Sequence, residues 1–299
     1  MKVAISGVSG LIGASLAHSL VEAGHEVFPL VRRETRTTSE ISWDPTGGTL
    51  PVARLAGLDA VVHLAAASIG GKRWTSEYKQ LLLTSRTRPT ALLARAMVAA
   101  EPRPPVLLSA SAIGFYGDTG ELPVDERSPR GRGFLAEVCS AWEAATGPAS
   151  DAGVRVAHLR TGLVISGHGG LLARLLPLYK VGLGGRLGTG RQFQSWVSLT
   201  DEVAAIRFLL ESEVSGAVNI TAPEPVSQAE FAHTLGKVLH RPALLPTPAF
   251  AVRLVAGQLG AEAALAGQRV LPRVLAEAGF SWTHGTLEDA LRSELALVS

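Results

Sequence analysis

The sequence predicts a doubly wound α/β fold, a parallel sheet with helices on both faces, followed by a smaller mixed C-terminal region on the substrate side. Two observations predict it. Through the first half, short apolar runs at 2–6, 26–30, 60–64, 106–109 and 154–159 alternate with segments of helical period at 11–23, 77–100 and 134–149. The first run ends in Gly7-Val8-Ser9-Gly10-Leu11-Ile12-Gly13, where a helical stretch opens. That is the strand–turn–helix order of a phosphate-binding turn.

The glycines of the turn have separate tasks. Gly7 makes the bend, Gly10 lets a diphosphate approach the main chain, and Gly13 lets the helix lie close on the strand. Ser9, Leu11 and Ile12 complete the turn, which presents free N–H groups and the positive end of the helix dipole. The spacing is GxxGxxG rather than GxGxxG, and a glycine triplet alone is a weak signal. The second strand, at the βαβ distance, gives it weight. That strand ends Leu30-Val31-Arg32-Arg33, with no acid before Glu34. An acid there would hold a ribose 2′-hydroxyl, whereas the planar donor forks of Arg32 and Arg33 suit a 2′-phosphate. The expected cofactor is therefore NADP(H).

Later segments are less regular. Residues 182–190 are glycine-rich but lack the Gly-Lys-Ser/Thr ending of a Walker motif, which leaves a substrate-facing loop or plain turns. Residues 219–223 read as a strand end and turn. Ser227 caps a helix at 228–239, with Glu230 three residues on. Three prolines mark 241–248 as a linker, and helical runs follow at 250–259 and 261–277, the latter interrupted by Pro272. The expected division is a cofactor domain at 1–165, to which 195–220 returns, and a smaller region at 166–299 containing a helical unit near 245–295.

The 299 residues are 46% hydrophobic and 18% charged, enough for a large core. A net charge of +2 without a basic tract gives no reason to expect nucleic acid or a membrane surface as partner. The lone Cys139 forms no intrachain disulfide or cysteine metal cluster and reads as a buried, inert thiol. No histidine spacing suggests a metal, and His63 reads as a core histidine. No apolar stretch reaches 18 residues, and Met1 lies close to the first strand, so a cytoplasmic protein without signal peptide or span is expected.

These residues resemble the extended short-chain dehydrogenase/reductase superfamily, whose cofactor domain is a Rossmann fold. Gly7–Gly13 matches its cofactor turn. The stretch from Asp59 to Ala66 is similar to its fourth strand, Leu107 to Ser111 to its fifth strand and catalytic serine, and Gln194 to Asp201 to a substrate-side strand with a structural aspartate. A closer resemblance is to an atypical subfamily of NAD-dependent epimerase/dehydratase-like proteins, also labelled nucleoside-diphosphate-sugar epimerases or cell-division inhibitors. Arg73-Trp74, Ser85-Arg86, Ser109 through Gly117, Phe134 through Cys139, Trp142-Glu143 and Gln268 through Leu291 carry it in order, over essentially the whole chain. The resemblance implies bound NADP(H), with Arg32, Leu64, Ala65, Ala66, Arg86 and Ser109 at cofactor positions.

Active members of that superfamily use a Tyr with a Lys four residues later, the cation lowering the phenol pKa. Here Tyr78, Tyr116 and Tyr179 are followed at that distance by Leu82, Gly120 and Leu183. Phe134 and Val138 stand where the pair is expected. Ser111 and Tyr116 remain as candidate catalytic groups, with turn capping and packing under the nicotinamide as their alternatives. Glu137 reads as a base or a solvated helical acid. Asp125 and Glu126 read as loop caps. Arg160 either steadies a loop or pairs with a buried acid. Lys72, Arg73 and Trp74 suit an anionic, stackable substrate or simply a surface loop, and Trp196 is a substrate wall or core. The expected function is an NADP(H)-dependent oxidoreductase or epimerase-like activity on a small polar substrate of sugar-nucleotide type. The alternative is a catalytically degenerate NADPH-binding sensor or regulator. A homodimer is allowed for.

Overall fold

Apolar β-branched runs at the start of the chain become adjacent parallel strands, because each is returned by a helix that covers one sheet face. In the computed structural model, which describes residues 1–296, the first half runs β1 (Lys2–Ser6), α1 (Leu11–Glu22), β2 (Glu26–Val31), β3 (Ile41–Ser42), β4 (Ala60–His63), α2 (Ser76–Ala99), β5 (Val106–Ala112), β6 (Pro123–Val124), α3 (Phe134–Ala144), α4 (Gly147–Asp151) and β7 (Arg155–Thr161). The second half runs β8 (Leu163–Ile165), α5 (Gly170–Lys180), β9 (Phe193–Gln194), β10 (Trp196–Ser198), α6 (Leu199–Glu211), β11 (Gly216–Ile220), β12 (Val226–Ser227), α7 (Gln228–Val238), α8 (Ala249–Leu259), β13 (Arg269–Val270), α9 (Arg273–Glu277) and α10 (Leu287–Ala296). Residues 297–299, counted in the smaller region above, lie outside the described residues.

Seven strands form the main sheet in the order β3-β2-β1-β4-β5-β7-β11. All six pairings are parallel. The order reverses between β1 and β4, which opens a crevice beyond their carboxyl ends. Val3, Ile5, Val62, Leu108, Leu159 and Val218 point to one face with Leu16, Leu20 and Ile206 of α1 and α6. Ala4, Val61, Leu107 and Val156 point to the other, with Leu93 and Met97 of α2. A separate apolar cluster around Trp196, Phe231, Leu235 and Leu291 holds the C-terminal lobe.

Three expectations are corrected. The helix expected at 134–149 is two helices, with Pro148 at the start of the second. The run at 261–277 is a π-turn at Gly260–Ala264, then β13 paired to β6, then the short α9. Gly267 and Pro272 break the helical period there. Helices α5 and α6 lie where no helix was expected. Among the described residues no helix is long and apolar enough to cross a membrane.

Candidate functional site

The turn between β1 and α1 is built as its glycines require. Gly7 has φ +81°, and a Cβ on it would press within 3.0 Å of the main chain at Leu64 and Ala65. A Cβ on Gly13 would collide with the Gly7 carbonyl oxygen. Gly10 caps α1 with no side-chain hydrogen bond, so the first N–H groups of the helix have no side-chain acceptor. Ser6 fixes the crevice floor. Its hydroxyl accepts from Leu64 N–H at 3.1 Å and Ala65 N–H at 3.2 Å, and it meets His63 Nδ1 at 2.6 Å. These bonds bring Gly7, Leu64 and Ala65 together, with Ala66 exposed beside them. Burial pushes His63 down to about 4, so its ring is neutral near pH 7. Leu11 and Ile12 are partly buried against the core, and Ser9 is exposed. The cradle fits a diphosphate: close backbone approach, no competing side chain and an uncapped helix start.

At the end of β2 the two arginines diverge. Arg32 is exposed. Arg33 forms a two-pronged pair with Glu40 at 2.8 and 2.6 Å. That pair and the Arg36 N–H pull the Glu40 carboxyl down to about 2. Arg33, though exposed, is engaged within its own loop, whereas Arg32 has no hydrogen-bond partner among the described residues.

Beyond β5 a buried polar network crosses the sheet. Ser111 Oγ donates to Glu143 Oε1 at 2.7 Å, and Arg160 grips both Glu143 oxygens at 2.8 Å. Arg160 Nη1 donates to the Tyr116 oxygen at 2.9 Å, and the Tyr116 hydroxyl donates to Asn219 Oδ1 at 2.8 Å. The guanidinium also lies 3.4 Å from the Phe115 ring centroid. Glu126 continues the chain, accepting the N–H groups of Asn219 and Val274. Arg160 thus pairs with a buried acid. Tyr116 is 3% exposed, and burial raises its phenol above the ordinary range, the Arg160 charge opposing this only in part. The hydroxyls of Ser111 and Tyr116, the candidate catalytic groups, are hydrogen-bonded within this network.

The remaining candidates lie in different surroundings. Trp196 is fully buried, and its indole N–H donates to the Glu224 carbonyl at 3.0 Å, so it is core and no substrate wall. Arg86 turns its guanidinium into the α2–α3 interface, 4.9 Å from the Trp142 ring and bonded to the Leu82 carbonyl. Ser109 is fully buried, in register between His63 and His158, with no partner for its hydroxyl. Cys139 is buried, its thiol pushed up to about 11, and Glu137 is exposed. Arg73 and Lys72 are exposed, while Trp74 packs edge-on against Phe134 with centroids 5.2 Å apart.

A cavity of about 120 Å³ lies where β5 leads into the 3₁₀ turn Ile113–Tyr116. Gly114, Gly117, Arg132, Leu135, Glu262 and Gln268 line it. Glu262 comes from the C-terminal lobe, accepting the Leu135 N–H at 2.9 Å and the Gln258 amide at 2.7 Å. Gln268 donates to the carbonyls of Ile113 and Gly117. Glu262 escaped the sequence reading because it stands 127 residues from its α3 partner in a run that reads as plain helix. Ser6 was legible in principle, as the polar residue ending an apolar strand. Among the described residues no group of three or more His, Cys, Asp or Glu side chains is placed to hold a metal ion.

Sheet order and glycine cradle define a doubly wound nucleotide-binding protein. The chain belongs to the NAD dependent epimerase/dehydratase family, whose profile matches residues 3–221, while a domain of unknown function (DUF1731) matches 247–294. Epimerase family protein Mb2239 of Mycobacterium bovis is 45% identical over 290 residues, 97% of this chain and 96% of that protein. Human epimerase family protein SDR39U1, solved with NADPH, superposes with a TM-score of 0.90 at 31% identity over 99% of both chains. A nucleoside-diphosphate sugar epimerase from Corynebacterium glutamicum gives a TM-score of 0.81 at 35% identity, covering 99% of this chain and 58% of that one.

Proposed function

We propose that this chain binds NADP(H) across the β1–β4 crevice and acts as a reductase or epimerase-like enzyme on a small polar substrate of sugar-nucleotide type. The glycine cradle carries the reading, because side chains at Gly7 and Gly13 are excluded by the backbone they face. The NADPH of the human relative and the name of the Corynebacterium protein support the cofactor and substrate class. In this reading the α1 N-terminus and Gly10 hold the diphosphate. Arg32 takes the 2′-phosphate, while Leu64, Ala65 and Ala66 border the adenosine. The nicotinamide, when bound, supplies hydride transfer. Two carboxylates, Asp118 and Glu262, line the cavity wall and accept N–H groups there, and Gln268 keeps that wall in shape.

Titration calorimetry with NADPH and NADH tests the cofactor. NADPH is expected to bind more tightly, and Arg32→Ala to erase about 10- to 100-fold of that preference. Absence of heat with NADPH overturns the reading. A second reading, an NADPH-holding regulatory protein without turnover, is favoured by one observation: Tyr116, just after β5, is fixed between Arg160 and Asn219. Steady consumption of NADPH on a panel of carbonyl and sugar-nucleotide compounds excludes that alternative.

A further inference from the structure

The loop between β2 and β3 closes on one carboxylate. Ser6 pairs with Leu30 across β1 and β2, so Arg32 and Arg33 leave the sheet beside the Gly7 turn. Glu40 reaches back to this point. Its Oε2 accepts from Arg33 Nη1 at 2.8 Å and its Oε1 from Arg33 Nη2 at 2.6 Å, and the Arg36 N–H donates to Oε2 at 2.6 Å. Arg33 Nη1 also donates to the Glu34 carbonyl at 2.8 Å. Ser42 Oγ donates to the Arg33 carbonyl at 2.8 Å, and Arg54 Nη2 to the Thr38 carbonyl at 2.6 Å, which ties down the rest of the loop. The Glu40 side chain is 12% exposed and that of Arg33 41%, so the acid sits inside the loop and the guanidinium on its rim. A guanidinium carries five N–H donors. Both Nη1 hydrogens and one on Nη2 are taken at one end of the group, which leaves the Nε hydrogen and the second on Nη2. Those two lie side by side along one edge and form a second two-pronged donor, the geometry that suits a phosphate.

We infer that Glu40 is a specificity-determining positioning residue: by gripping one end of the Arg33 guanidinium it holds the remaining donor edge open for the ribose 2′-phosphate, beside Arg32. The inference rests on the NADP(H) reading, in which Arg32 takes that phosphate, and adds Arg33 and Glu40 to the same subsite. Two effects of Glu40 oppose each other. Its charge repels a phosphate, but it is already matched by Arg33, and charges in an exposed loop are screened by salt. Against this stands the ordering of a long side chain. A free arginine loses its rotamers when the ligand binds, whereas a gripped one is ordered beforehand. Ordering outweighs the screened repulsion, so Glu40 favours the phosphate. An exposed ion pair adds little to stability, and what this pair gives the loop is orientation. The other acid of the loop, Glu34, enters these bonds through its carbonyl alone.

Calorimetric titration of the full chain with NADPH and NADH in parallel tests it. Glu40→Gln keeps the shape of the side chain and loses the charged grip. It is expected to weaken NADPH binding about 5- to 10-fold while NADH changes by less than roughly twofold. Arg33→Ala should do the same. In the double variant the loss should not exceed that of Arg33→Ala alone, because Glu40 acts through Arg33. Adenosine 2′,5′-bisphosphate against AMP should repeat the split without a nicotinamide. Circular dichroism and melting temperature should stay near wild-type values, as for any exposed pair. An unchanged ratio of NADPH to NADH affinity in Glu40→Gln overturns the inference. So does tighter NADPH binding, which would mean that the carboxylate competes with the phosphate for Arg33, and so do additive losses in the double variant. If the preference for NADPH falls in Arg32→Ala but not in Arg33→Ala or Glu40→Gln, the cofactor reading stands and the role of Glu40 alone is lost. A wild type that gives no heat with NADPH removes both.

Discussion

At the scale of single residues, burial and partnering decide what each hydroxyl and carboxyl can do. Tyr116 illustrates it. Its oxygen accepts from Arg160 and donates to Asn219, so Tyr116→Phe strips both of a partner inside the protein. The expected cost is about 1–3 kcal/mol in chemical denaturation, with NADPH affinity unchanged. Unaltered stability with a large loss of turnover would return Tyr116 to the catalytic role. Glu202 gives a pH signature. It is fully buried, one oxygen bonded to Thr161 and the other without a partner, and desolvation pushes it up to about 8 from 4.5. The folded state then holds a proton that the unfolded chain releases above about 4.5, so this residue's contribution falls as pH rises from about 4.5 to about 8. Glu202→Gln should flatten that fall, and its melting temperature should gain on the wild type up to about pH 8 and then run parallel. His63, held at about 4 from 6.5, acts oppositely, its contribution falling as pH drops through that window.

At the scale of elements, the β1–α1 turn is the sharpest test. Gly13→Ala places a methyl against the Gly7 carbonyl oxygen, so either α1 tilts away from β1 or the turn opens. Overpacking of this kind costs about 1–3 kcal/mol, and it should abolish NADPH binding in calorimetry. Gly24→Ala meets no neighbouring atom, although its φ of +80° strains any side chain, and should lose stability while keeping the nucleotide. Strands β1, β2, β4, β5 and β7 were legible because each is a short apolar run between turn residues, and β1 begins and ends as the periodicity indicates, whereas of β11 only the end could be read. Strand β3 was not, since two residues, Ile41 and Ser42, carry no period. Helix α6 was missed because Trp196-Val197-Ser198 leads into it as an extended run. Its Ser198 cap, accepting from Asp201 N–H, is visible only once both are in place. At the candidate site, the glycine cradle is local in sequence and could be read. Ser111, Glu143, Arg160, Tyr116 and Asn219 are separated by 17 to 103 residues along their bonds, and no spacing rule joins them.

At the scale of the whole molecule, the C-terminal segment is built into the end of the sheet rather than appended to it. Asp201 accepts the N–H groups of Thr283 and His284, and Trp282 donates to the Thr221 carbonyl. Asn219 on β11 donates to the Leu271 carbonyl, Glu126 accepts from Val274, and Glu294 accepts from Thr200. Leu275 is fully buried in the same apolar cluster as Val3 and Ile5, while Leu287, Ala290 and Leu291 complete the cluster around Trp196. Removing residues 247–299 would expose both clusters and leave several buried acceptors without donors. The two family matches, 3–221 and 247–294, are therefore expected to unfold as one body. The full chain is expected to unfold in a single calorimetric transition with equal van't Hoff and calorimetric enthalpies at fixed protein concentration. A chain ending at 246 is expected to be insoluble or to show no cooperative transition. Two separable transitions in the full chain, or a stable 1–246 fragment that still binds NADPH, would mean that the C-terminal bonds decorate a sheet complete without them.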